Sequence, residues 1–200
     1  MSIKFFIHNR MSFQSYAGAW LNQAPLKLDP IQRYWLTRPG ALTAGLRQLG
    51  QLHIEVLNES YASLDRDEAI ALQLPIRHPL WLREIIMSID GTPCVLARSI
   101  TPISAARGVW KSIRALNTRP LADILYNDPR IIRSRFECAP VQAGRQIFLT
   151  QERYFPKYSA RPDYARRSIF YKESHPLMVT ESFLETFWLL LDQFDGNKMP

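Results

Sequence analysis

The chain has 200 residues, 46% of them hydrophobic and 12% aromatic, with a formal charge of +7 at pH 7. This composition excludes the polar, charge-rich mix of disordered chains, and the length suffices to bury a core, so a single domain over residues 1–200 is expected. The charge favours an anionic partner, yet the basic clusters RIIRSR (Arg130–Arg135) and ARPDYARR (Ala160–Arg167) lack the lysine-rich run or interleaved aromatics of a nucleic-acid surface, and they read as solvated.

Residues 1–27 show no firm period and read as an N-terminal extension; MSIKFFIHNRMSF lacks the apolar core of a signal peptide. After LDP (Leu28–Pro30), the stretch IQRYWLTRPGALTAGLRQLG reads as two short helices broken at Pro39 and Gly40. QLHIEVLNES alternates as a strand, with Leu52, Ile54 and Val56 on one side. WLREIIMSIDGTPCVLARSI (Trp81–Ile100) reads as a hairpin turning at Asp90–Gly91. AARGVWKSIRAL and RPLADILY return to a helical pattern, with Pro120 in a first helical turn. IIRSRFECAP and RQIFLTQERYF each read as strands, and PKYSARPDYA as a loop. RRSIFYK and LMVTESFLETF form a second hairpin around ESHP, and WLLLDQF a terminal helix. Paired strands with helices interposed, and no regular βαβ alternation, predict an α+β fold: a mostly antiparallel β-sheet with helices packed over it.

Cys94 and Cys138 form neither a disulfide framework nor a CxxC pair, and read as buried thiols of a cytoplasmic protein. No apolar stretch approaches the ~20 residues of a transmembrane span. His8, His53, His78 and His175 are scattered without metal-ligand spacing, and no Gly-rich phosphate loop is present.

Within the first hairpin, Arg83 shares a face with Trp81, Ile85, Met87 and Ile89. Counting back from a two-residue Asp90–Gly91 turn sets Arg83 opposite Arg98, a like-charge pair that asks for an anion between the two. The same alternation puts Glu181 in an apolar row with Leu177, Val179 and Phe183, which makes it the internal candidate. Two readings stay open on pattern alone. One is a ligand-free ion-pair network, or long side chains reaching water from a sheet edge. The other is a pocket in which two arginines and one acid receive a small anion.

The motifs LDP....WL.....LT (Leu28–Thr43), WLREI....DG.P....R...P.S (Trp81–Ser104), RPL (Arg119–Leu121) and ARRS.....S.PL..TE.FL (Ala165–Leu184) resemble, in order, those of the chorismate pyruvate-lyases. The resemblance implies a chorismate lyase-like fold and cofactor-independent elimination of pyruvate from chorismate, giving 4-hydroxybenzoate for ubiquinone synthesis. It also implies a substrate pocket using Arg83, Glu181 and backbone near Leu42 and Leu121; Arg83 and Glu181 would be catalytic, and Arg98 matches a family arginine that helps bind substrate. The implied partners are chorismate and 4-hydroxybenzoate; no metal, nucleic acid or membrane span is expected, and the protein is expected to be a monomer. Ala122 stands where the family has glycine, GALT replaces a serine-containing loop, and about residues 142–162 form a segment without counterpart in the short bacterial enzymes. Two other functions fit the same resemblance: a non-catalytic domain sensing an aromatic carboxylate, and a lyase acting on a related substrate.

Overall fold

The computed structural model describes residues 20–142, 145–156 and 163–196. Two short helices come first, α1 (Pro30–Thr37) and α2 (Leu42–Leu46). The Asp29 side chain caps α1 by accepting from the Gln32 N–H at 2.8 Å, Pro30 occupies the first turn, and the helix stops before Pro39 as expected. Strand β1 (Leu52–Ser63) and helix α3 (Arg66–Leu72) follow; the sequence reading assigns no element to the latter, although Asp65 caps it by accepting from the Glu68 N–H at 2.7 Å.

Strands β2 (Pro79–Ile89) and β3 (Thr92–Pro102) form the first hairpin. Asp90 and Gly91 both have positive φ, 48° and 82°, which is the left-handed pair that a tight hairpin turn requires. Helix α4 (Ile103–Arg107), a 3-10 helix at Lys111–Ala115 and α5 (Ala122–Leu125) fill the predicted helical region. IIRSRFECAP splits into β4 (Ile132–Arg133) and β5 (Glu137–Pro140).

RQIFLTQERYF is not a strand. It forms helix α6 (Gln146–Tyr154), whose buried stripe is Ile147, Thr150 and Gln151. That spacing is helical, but two of its three positions are polar, so a search for apolar period misses it. Strands β6 (Tyr164–Lys172) and β7 (His175–Phe183) make the second hairpin, and α7 (Glu185–Gly196) closes the chain. Among the described residues no helix is long and apolar enough to cross a membrane.

The sheet is antiparallel throughout, in the order β1-β2-β3-β7-β6-β4, with β5 also pairing with β6. Both faces are covered. On one, which we call the front, Ile85, Met87, Ala97 and Phe183 pack with Trp35, Leu42 and Leu46 of the first helices and Phe187, Trp188 and Leu191 of α7. Further along the same face Trp81 and Phe170 meet Ala105, Trp110, Leu121 and Leu125. On the back, Leu82, Ile100 and Met178 pack under Ala69 and Leu72 of α3, and Ile86 and Leu96 under Ile147 of α6. Covering both faces buries nearly every residue of β2 and β3, so a charged side chain there is costly unless it finds a partner inside the protein.

The hairpin register departs from simple counting. Ile89 pairs with Thr92 and Ser88 with Pro93, but Met87 then pairs with Val95. Cys94 is an extra residue, a β-bulge, and from there every partner moves by one. Arg83 therefore faces Ser99, and Arg98 faces Glu84. The expected Arg83–Arg98 pair does not form: the bulge sends the two arginines to opposite faces of the sheet.

Candidate active site

The front face holds a cleft with about 550 Å³ of space not filled by atoms, its mouth included. Its floor is the sheet, and its walls are the start of α2, with Leu42 and Thr43, and the segment Pro120–Tyr126 around α5. Leu42 and Leu121, expected at the site, both line it, as does Glu181 on the floor. Ile54, Ile85, Met87, Phe170 and Val179 make the floor largely apolar, so each polar group there acts in a medium where charge is poorly screened.

Glu181 is the one carboxylate and Arg166 the one cation among the lining residues. They stand directly opposite each other on β7 and β6, and the Arg166 Nε donates to Glu181 Oε2 at 2.6 Å. Arg166 is 1% exposed, so the reading of its cluster as solvated is wrong for this residue and for the neighbouring Arg167, which is also buried. Arg166 Nη1 donates to the carbonyls of Trp35 (3.0 Å) and Arg38 (3.2 Å) at the end of α1, and its guanidinium stacks on Phe136 at 4.3 Å. At the mouth, Tyr126 Oη donates to the Gly40 carbonyl at 2.9 Å and accepts from Arg133 Nη1 at 3.1 Å. Burial raises the phenol's pKa, and the nearby Glu181 charge adds to the rise against the opposing Arg133.

Arg83 lies on the same face as Ile85 and Met87, beside the cleft and 2% exposed. Its Nη2 donates to the Asn117 carbonyl and, at 3.5 Å, to that of Arg119, in the segment that leads into Leu121. Its buried Nε has no hydrogen-bond partner, and no carboxylate of a described residue lies within ion-pair distance of the guanidinium. Burial lowers its pKa; Glu59, opposite on β1, attracts it at longer range while accepting from Trp81 Nε1 at 3.3 Å. A buried guanidinium with an unused N–H is a charge awaiting an acceptor. Arg83 is not among the residues that line the cleft; it and Glu181 are two strands and two residue pairs apart, which at ordinary sheet spacings separates their backbones by about 12 Å.

Arg98 is on the back. Its Nε donates to Glu68 Oε1 at 2.8 Å and its Nη1 to Glu84 Oε1 at 2.9 Å, with Arg98 4% and Glu84 1% exposed. Burial pulls the Arg98 pKa down, but the two carboxylates outweigh it and the net direction is up. Burial raises Glu68 against the pull of Arg98. Glu84 also accepts from Thr150 Oγ1 of α6 at 2.7 Å and from Asn58 Nδ2 at 3.1 Å. Arg98 thus belongs to a closed ion-pair network remote from the cleft, the first of the two readings that pattern alone left open.

A sequence model of the family described as "Chorismate lyase" matches residues 16–191. A "Probable chorismate pyruvate-lyase" from Bordetella pertussis is 49% identical over 175 residues, covering 87% of this chain and 92% of that one. A "Probable chorismate pyruvate-lyase 1" from Burkholderia pseudomallei is 36% identical over 172 residues, with 86% and 92% covered. Among solved structures, a GntR-family transcriptional regulator from Bacillus cereus aligns with a TM-score of 0.49 at 10% identity, over 68% of this chain and 93% of that one. A family match over nearly the whole chain, with relatives identical at up to half their positions, makes this protein a lyase that belongs to the chorismate lyase family.

Proposed function

We propose that the protein is a chorismate pyruvate-lyase that releases pyruvate from chorismate and leaves 4-hydroxybenzoate, the aromatic acid that would feed ubiquinone synthesis. The observation that supports this reading is an apolar-floored cleft whose lone lining acid among the described residues is Glu181, with Arg83 buried on the same face of the sheet beside it, its Nε without a hydrogen-bond partner. A ring with a carboxylate at one end and a hydroxyl at the other carries the two groups that such a cation and acid would receive.

In the reaction the C3–oxygen bond breaks, C4 loses its hydrogen and the ring becomes aromatic. The electron pair of the broken bond leaves with the enolpyruvyl oxygen, which becomes pyruvate once a proton is added. Aromatisation drives the reaction, so the protein has to hold the ring in the reactive geometry and help one proton move. Arg83 holds the ring carboxylate through a charge-assisted hydrogen bond from its unused N–H. Glu181 accepts from the C4 hydroxyl and sits where the C4 hydrogen departs. The walls at Leu42 and Leu121 exclude water and bring backbone to the ring edge, as the family resemblance implies for these two positions.

The test is to mix purified protein with chorismate, without added metal, and to measure pyruvate and 4-hydroxybenzoate together. Equal amounts of both are expected. No turnover combined with thermal stabilisation by 4-hydroxybenzoate would turn the reading into that of a sensing domain, and pyruvate without 4-hydroxybenzoate would assign chorismate a different ring product.

A further inference from the structure

Arg166 makes more connections to the cleft than Arg83 does, and the proposed chemistry so far gives it no role. Its Nε takes one oxygen of Glu181, while its Nη1 takes two carbonyls left open by the end of α1. That helix end runs through Pro39 and Gly40 directly into the wall residues Leu42 and Thr43. One rigid guanidinium therefore ties the acid on the floor to the wall above it, and stacking on Phe136 fixes its plane. The other Glu181 oxygen, Oε1, makes no hydrogen bond to a described residue, and the Glu181 side chain keeps 15% of its surface exposed, enough to meet a ligand.

We infer that Arg166 is the positioning residue of the site. By occupying Oε2 it turns Oε1 toward the ligand's hydroxyl, and by holding α1 it sets the height of the wall over that hydroxyl. It acts at the hydroxyl end of the ring, away from the carboxylate held by Arg83. This inference rests on the lyase reading, since it takes the hydroxyl that Glu181 meets to be that of 4-hydroxybenzoate and its precursor.

The test compares the affinities of 4-hydroxybenzoate and benzoate, measured by titration calorimetry on the full chain. Only the first offers a hydroxyl, so the unaltered protein is expected to prefer it. In Arg166→Met the preference should shrink by about tenfold or more, the scale of one charge-assisted hydrogen bond. Arg166→Lys keeps a cation beside Glu181 but cannot also serve both carbonyls, so its preference should fall between the two. If Arg166→Met fails to fold, the lysine variant carries the test. Combining Arg166→Met with Glu181→Gln should shrink the preference no further than Glu181→Gln alone.

An equal loss of affinity for both ligands would make Arg166 a carboxylate contact and overturn the inference. So would an unchanged preference in a folded variant, or an unaltered protein that does not distinguish the two ligands. Failure of the lyase reading looks different: the unaltered protein would not turn over chorismate, whatever its preference between the two ligands.

Discussion

Glu84 and Arg98 face each other across β2 and β3 and are joined at 2.9 Å on the side of the sheet away from the cleft. With Glu68 they make a buried triad of two acids and one base, to which Thr150 of α6 adds a hydrogen bond. Removing the base leaves two buried carboxylates facing each other. Arg98→Met should cost about 3–5 kcal/mol in urea unfolding, and Glu84→Gln in the same chain should restore part of it. Under conditions where the variant stays folded, 4-hydroxybenzoate affinity should be unchanged; a selective loss of affinity would return Arg98 to the binding site.

Arg83 is predicted to behave in the opposite way. Its charge has no ion-pair partner to strand, so Arg83→Ala should be less destabilising than Arg98→Met. Its effect should appear in binding: affinities for 4-hydroxybenzoate and benzoate should fall together by about 1.5–3 kcal/mol, one charge-assisted contact. Calorimetry on the folded variant reads this directly, and unchanged affinity would remove Arg83 from the site.

Glu181→Gln keeps the side chain's shape and an acceptor oxygen but loses the charge. If the carboxylate takes the C4 hydrogen, kcat should drop by about 10²- to 10⁴-fold while benzoate still binds. Substantial remaining turnover would assign Glu181 an orienting role only, with the hydrogen passing to the departing enolpyruvyl group.

Burial pushes the thiols of Cys94 and Cys138 up from 9.0 to about 11. Between those values the folded protein holds two protons that the unfolded chain releases, so stability is lost as pH rises through the window, by at most about 1.4 kcal/mol per pH unit for each thiol. Replacing both cysteines with alanine should flatten unfolding free energy against pH from 9.0 to 11. A slope parallel to that of the unaltered protein would show that other groups govern alkaline unfolding.

Much of the site is legible in the sequence because strand alternation is a strong constraint. It puts Glu181 with Val179 and Phe183, and Arg83 with Ile85 and Met87, on the faces they occupy. Counting across the second hairpin from Lys172 and His175, which pair in the structure, also leads to Arg166 opposite Glu181. Arg166 is missed because its turn, Glu173–Ser174, adopts positive φ without the Asn-Gly or Asp-Gly signature, and because three basic residues within ARPDYARR look like surface. The Arg83–Arg98 expectation fails for a different reason. A bulge is a property of how two strands fit together, and CVLAR carries no local mark of one. Helix α6 escapes because its inward stripe is held by hydrogen bonds from Thr150 and from Gln151, which donates to Asp163 and accepts from Ser182 Oγ at 2.9 Å.

The bulge at Cys94 acts as a parity switch. Every side chain of β3 beyond it, from Val95 to Thr101, has its face decided by that one surplus residue. Deleting Cys94 would turn Arg98 and Leu96 toward the cleft and send Ala97 and Ser99 to the back. The cleft floor would then carry a second arginine beside Arg166, and Glu68 and Glu84 would lose their shared base. A single-codon loss, with every charged residue of the chain still present, would exchange the chemistry of the two sides of the sheet.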